Sequence, residues 1–186
     1  MDYILNVSRY RHDVDPNEKI KHSNINYEPI IWASKKGHTK TVRVLLTDPR
    51  VDPSANRNCA IRMASMKGHT ETARVLLTDP RVDPSGDQNC AIRMASMDGH
   101  TETIKVLLTD PRVDPSACNN YAIKWASRNG HTENVKVLLS DPRVDPSAKD
   151  NYALQWASQN GHTETVKVLL ADPRVHEESL DEIDKS

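Results

Sequence analysis

The sequence repeats itself at one fixed interval. Gly37, Gly68, Gly99, Gly130 and Gly161 stand 31 residues apart, and His then Thr follow each of them. The pairs Leu45-Leu46, Leu76-Leu77, Leu107-Leu108, Leu138-Leu139 and Leu169-Leu170 keep the same interval. A period in this range marks one supersecondary unit, too small to bury its own apolar face, stacked on copies of itself. Composition agrees. Aromatic residues are only 4% of the 186 and Phe is absent, which suits a thin seam between small units better than a broad globular core.

Residues 58–88, "NCAIRMASMKGHTETARVLLTDPRVDPSGDQ", show what one unit is. Asn58 is a good N-cap, because its side-chain oxygen can accept from a first-turn amide. Ile61, Ala64 and Ser65 then fall on one side of a first helix. Gly68 ends it by taking a left-handed conformation at little cost. Thr70 can cap a second helix whose Ala73, Leu76 and Leu77 share a face. Asp79 precedes Pro80, which disfavours helical geometry and closes the unit. "DPRVDPS" follows as an extended, proline-stiffened turn. Helices this short are marginal alone in water, so they need neighbours. Stacking buries the Ile, Ala, Val and Leu columns as one core. The small pairs Ala64-Ser65 and Ala95-Ser96 let helices approach closely.

Charge excludes some functions. With 25 basic against 26 acidic residues, the chain has no global field for nucleic acid or an anionic membrane. No apolar run is long enough to span a bilayer. The three cysteines, Cys59, Cys90 and Cys118, are odd in number, and "MDYILNVSRY" does not read as a signal peptide. A soluble intracellular protein with reduced thiols is expected.

"GHTETVKVLL" at 161–170 resembles the glycine-histidine turn and second helix of the ankyrin repeat. "NYAIKWAS" at 120–127 occupies the place of that repeat's first helix, which usually opens Thr-Pro-Leu-His. The resemblance covers about residues 27–175. A 31-residue unit with "DPRVDPSA" is similar to the variant found in large DNA viruses of amoebae and in some protists. It implies an all-α, ankyrin-like solenoid of stacked helix-turn-helix repeats with short extended finger loops. Five repeats would occupy 27–57, 58–88, 89–119, 120–150 and 151–175, after an N-terminal capping half-repeat and irregular linker at 1–26. Residues 176–186 hold five acids and one Lys, and read as an acidic tail or cap. The sequence also departs from the family. Its unit is shorter than the usual length of about 33 residues, so the finger is not expected to form a regular two-stranded hairpin. Cys-Ala-Ile-Arg stands at 59–62 in place of Thr-Pro-Leu-His, and Asn58, Asn89, Asn120 and Asn151 are expected to take over part of the capping.

Several chemical readings compete with a scaffold. The histidines of the repeated Gly-His-Thr suggest a metal, but equivalent residues in stacked helical units lie about 8–10 Å apart. Zinc ligands sit about 2 Å from a shared ion. Each His is better read as bonding the turn of a neighbouring repeat. Cys59, Met63 and Met66 share one helical side, as do Cys90, Met94 and Met97, and soft sulfur suits Cu(I). Met63 and Met94 replace Trp32, Trp125 and Trp156, however, so packing is the simpler role. Arg50, Arg81, Arg112, Arg143 and Arg174 run beside Asp52, Asp83, Asp114 and Asp145. They read as weak inter-repeat ion pairs rather than an anion stripe. No phosphate loop, HExxH or GxSxG motif is present, so no catalytic residue, metal or cofactor is expected.

Differences between units point to use. In the first helix the variable columns are Ile31, Arg62, Arg93, Lys124, Gln155; then Lys35, Met66, Met97, Arg128, Gln159; then Lys36, Lys67, Asp98, Asn129, Asn160. In the finger they are Asn56-Arg57, Asp87-Gln88, Cys118-Asn119 and Lys149-Asp150. The resemblance implies binding through finger tips and the adjoining first helix, where these columns lie. The candidate protein-binding residues are thus Asn56, Arg57, Arg62, Met66, Lys67, Asp87, Gln88, Arg93, Met97, Asp98, Asn119, Lys124 and Arg128. Met66 and Met97 are expected to be exposed, as an adaptable apolar contact with Arg62, Lys67 and Arg93 as a basic rim. The expected function is protein–protein interaction through a rigid concave surface. Alternatives are a substrate-recruiting adaptor of a ubiquitin ligase and copper binding by the Cys/Met patch. A protein partner, no nucleic acid, no membrane and a monomer are expected. The cytoplasm is the expected location (that of the host cell if the chain is viral), with the nucleus open.

Overall fold

The computed structural model describes residues 28–175. The proposed cap at 1–26 and tail at 176–186 lie outside them. Among the described residues there are ten helices and no strand. They are α1 Glu28–Lys35, α2 Thr39–Leu46, α3 Ala55–Met66, α4 Thr70–Leu77, α5 Gly86–Met97, α6 Thr101–Leu107, α7 Ala117–Arg128, α8 Thr132–Leu139, α9 Ala148–Gln159 and α10 Thr163–Leu170. Odd-numbered first helices pack on one another along the stack, even-numbered second helices do likewise, and each pair packs within its unit.

The core is a set of columns. Ile30, Ile61, Ile92, Ile123 and Leu154 are fully buried in the first helices, beside Ala33, Ala64, Ala95, Ala126 and Ala157. Leu76, Leu107, Leu138 and Leu169 bury the second helices. The finger valines Val51, Val82, Val113, Val144 and Val175 belong to the same core. The finger is thus anchored by an apolar side chain as well as stiffened by proline.

Each finger winds through tight turns. The Val51 amide donates to the Asp48 carbonyl and the Ala55 amide to the Asp52 carbonyl. Three residues in left-handed conformation then lead into the first helix: Asn56-Arg57-Asn58, Asp87-Gln88-Asn89, Cys118-Asn119-Asn120 and Lys149-Asp150-Asn151. Each such residue costs on the order of 1–2 kcal/mol unless it is Gly, Asn or Asp, so a surrounding constraint must hold them. The constraint is Asn58, whose amide donates to the Ser54 carbonyl at 2.8 Å. Its side-chain oxygen accepts from the Asp83 amide of the next finger, also at 2.8 Å. Asn89 and Asn120 do the same for Asp114 and Asp145. The expected N-cap is therefore corrected: the Asn oxygen bridges to the following unit, and its left-handed backbone is not the extended conformation of an N-cap. Thr70 is corrected too. It is the first helical residue, and its hydroxyl meets Thr103 of the next unit at 2.8 Å.

Candidate protein-binding surface

The polar residues that repeat from unit to unit are occupied in joining units. His69, His100, His131 and His162 place Nε2 within 2.8–3.0 Å of the Lys35, Met66, Met97 and Arg128 carbonyls, one unit back. A carbonyl only accepts, so Nε2 carries the proton and has no lone pair for a metal. The ring fills the space beside the glycine of the preceding unit: a Cβ on Gly68 would come 2.5 Å from His100 Nδ1. Among the described residues no cluster of His, Cys, Asp and Glu could hold an ion.

The arginine stripe differs from the expected inter-repeat ion pairs. Arg81 forks onto Asp79 of its own unit, with Nη2 to Oδ2 at 2.6 Å and Nε to Oδ1 at 2.9 Å. It reaches the preceding unit through carbonyls, Val51 at 2.9 Å and Leu46 at 3.1 Å. Arg174 repeats this with Asp172, Val144 and Leu139. The planar fork fits the nearest carboxylate two residues away, leaving Nη1 to staple the stack. This pairing holds the Asp48 carboxyl at about 2, mainly through the Arg50 side chain, and lowers Asp79, Asp110, Asp141 and Asp172 in the same way.

With the scaffold accounted for, the variable columns can be placed. Lys67, Asp98, Arg128, Asn56, Arg57, Gln88 and Asn119 are exposed. Met66 and Met97 are only half-buried, which corrects their expected exposure. Arg62, Arg57 and Arg93 are tied to one residue. Asp87 Oδ2 accepts from Arg62 at 2.9 Å, Oδ1 faces Arg57 at 3.5 Å, and the Asp87 carbonyl accepts from Arg93 at 3.1 Å. The basic rim is therefore partly neutralised from within. Lys124 is 7% exposed, which also departs from an open surface position. Cys59 is half-buried and Cys90 buried, and burial pushes the Cys59 thiol up against the opposing pull of Arg62. A thiol held protonated is a poor Cu(I) ligand, so the copper reading gains no support, and nothing observed favours a ubiquitin-ligase adaptor.

Tyr121, Trp125, Tyr152 and Trp156 are not among the expected binding residues, and they form the most distinctive feature of the first-helix face. Tyr121 and Trp125 rings lie 5.5 Å apart, Trp125 and Trp156 meet edge-on at 5.8 Å, and Tyr152 stacks on Trp156 at 5.4 Å. The Arg128 guanidinium sits 4.6 Å from Trp125 and 5.4 Å from Trp156, and Arg93 covers Tyr121 at 5.1 Å. Tyr152 is 40% exposed. Half of the eight aromatic residues of the chain are gathered here. The signal was the Tyr/Trp spacing of i, i+4 in two adjacent units, which places the rings on one helical side.

No helix among the described residues is long and apolar enough to cross a membrane. Among curated proteins, none matches the chain. A family model described as ankyrin repeats (3 copies) matches residues 4–89 and 92–179, nearly the whole length. The stacked helix pairs are consistent with that match, and the chain belongs to the ankyrin-repeat family, whose members are generally non-enzymatic modules of protein–protein interaction.

Proposed function

We propose that the chain binds a protein partner on the concave side of the stack, formed by its first helices and finger tips. The aromatic and cationic cluster of α7 and α9 carries this reading. Tyr, Trp and Arg are the residues that dominate binding energy at interfaces, and here Tyr152 is open to solvent beside Trp156 with Arg128 laid over the rings. The half-buried Met66 and Met97 extend the face toward the first units as a softer apolar region. Binding to a stack already stapled by His, Asn and Arg bridges orders little, so affinity is not spent on folding. We take the protein as five units with the boundaries given by the period.

The test is quantitative affinity capture with wild type, Tyr152→Ala and Met66→Glu/Met97→Glu as baits, after circular dichroism shows all three folded. A partner retained by wild type and reduced at least about tenfold by Tyr152→Ala supports the aromatic half as the centre. Loss in the Met variant alone moves the centre to α3 and α5. A partner held equally by all three baits defeats the reading.

A further inference from the structure

The column Arg62, Arg93, Lys124, Gln155 sits where each first helix meets a finger. Three of its members have a polar partner there. Arg62 donates to the Asp87 carboxylate at 2.9 Å, Arg93 to the Asp87 carbonyl at 3.1 Å, and Gln155 to the Asp150 carbonyl at 2.6 Å. Lys124 makes no hydrogen bond or ion pair among the described residues, although it is only 7% exposed. Register explains why. The residue 25 positions beyond Arg62 is Asp87, whereas the one 25 positions beyond Lys124 is Lys149. A second cation stands where another unit supplies the carboxylate.

We infer that Lys124 and Lys149 form an anion seat on the first-helix face, which takes an Asp or Glu side chain from an acidic segment of the protein partner. This rests on the protein-binding reading above. The Lys124 stem is buried while its ammonium reaches the surface, partly dehydrated and with no counter-charge among the described residues. Here burial pushes the Lys124 amine below its ordinary range, and Lys149 pushes it the same way. A carboxylate between the two would offset their repulsion and supply the counter-charge that a partly dehydrated ammonium lacks. The surroundings suit a peptide: Tyr121 and Arg128 lie on the same side of α7, and the exposed Tyr152 stands on α9 beside them. An acidic residue would enter the seat while its apolar neighbour rests on the rings. Charge complementarity also favours this face for steering such a segment.

The experiment is selection of short random peptides displayed on phage against the full chain, followed by affinity measurement with synthetic copies. The baits are wild type, Lys124→Met, Lys149→Glu, Tyr152→Ala, and a variant with Glu177, Glu178, Asp181, Glu182 and Asp184 changed to their amides. Wild type should select peptides enriched in Asp and Glu. These should bind at least about tenfold more weakly to Lys124→Met and to Lys149→Glu. Both variants should melt at or above the wild-type temperature, because the first removes the unpaired charge and the second supplies a carboxylate in place, as Asp87 does for Arg62. A merely structural lysine would move binding and melting together. Selected peptides without acid enrichment, or acidic peptides indifferent to Lys124→Met, overturn the anion seat. If they still weaken with Tyr152→Ala, the protein-binding face stands without it. Acidic peptides selected only by the amide variant would make the chain's own tail the occupant and overturn a partner's. Failure of wild type and of the amide variant alike to select any peptide overturns both readings.

Discussion

Gly68 shows how one residue can meet two demands. Its φ is +68°, which favours glycine, and its missing Cβ is the space that His100 of the next unit fills. Gly161 has a similar φ of +73° but no described residue within 4 Å of where a Cβ would be. The two demands can therefore be separated. Gly161→Ala should lose about 1 kcal/mol, the conformational term alone. Gly68→Ala should lose more, about 2–4 kcal/mol, because the His100 ring must also move. Urea unfolding of both variants measures the difference, and equal losses would refute the packing role. The Arg–Asp forks make a second prediction at this scale. A carboxyl whose folded pKa lies below its unfolded value adds stability that is complete above that unfolded value and lost below it. For Asp48 the window runs from 3.8 down to about 2. The melting temperature should fall through this range, and Asp141→Asn should shrink the fall. The arginine of each fork is solvent-exposed although its aspartate is largely covered, so each contribution is modest.

At the scale of the element, the left-handed turn at the start of each first helix is the unusual device. Its middle residue is exposed and non-glycine in every unit: Arg57, Gln88, Asn119 and Asp150. Gln88→Gly should stabilise the chain by about 0.5 kcal/mol, since relief of left-handed strain outweighs the extra freedom of the unfolded chain. Asn89→Ala should destabilise it by about 1–3 kcal/mol, because the Asp114 amide loses its acceptor. Opposite signs at adjacent positions, read by thermal and urea melts, distinguish strain from bridging; the same sign at both would contradict this account.

Across the described residues, the His bridge recurs at all four junctions and the Asn bridge at three, so each unit is nearly interchangeable. Deleting residues 89–119 joins Gln88 to Asn120, which restores the turn that Gln88 makes with Asn89. The shortened chain should fold with native-like helical dichroism and a lower urea midpoint, since one interface is lost from a roughly additive stack. A chain that fails to fold would mean that the third unit has a unique role. Gly-His-Thr, the double leucines and the Ile and Ala columns were legible because each recurs at the same place in every copy. The aromatic cluster was harder to read. Tyr121, Trp125, Tyr152 and Trp156 look like core when taken unit by unit, and only the stacking of α7 on α9 brings their rings together with Arg128.

The sequence by itself determined the period, the helix pairs, the columns that fill the core and the Gly-His turns, because those follow from spacing and from what each side chain can do locally. Tertiary structure alone decided the partners of the polar residues. It sent the Asn58 oxygen to the next finger rather than to its own helix. It turned Arg81 onto Asp79 and the Val51 carbonyl rather than onto a neighbouring aspartate. It half-buried Met66 and left Lys124 without an anion. The physical reason is geometric. Apolar burial depends on which side of a helix a residue occupies, which the period of 3.6 reveals. A hydrogen bond or ion pair depends on angles and on tenths of an ångström between units, and those exist only once the stack is built.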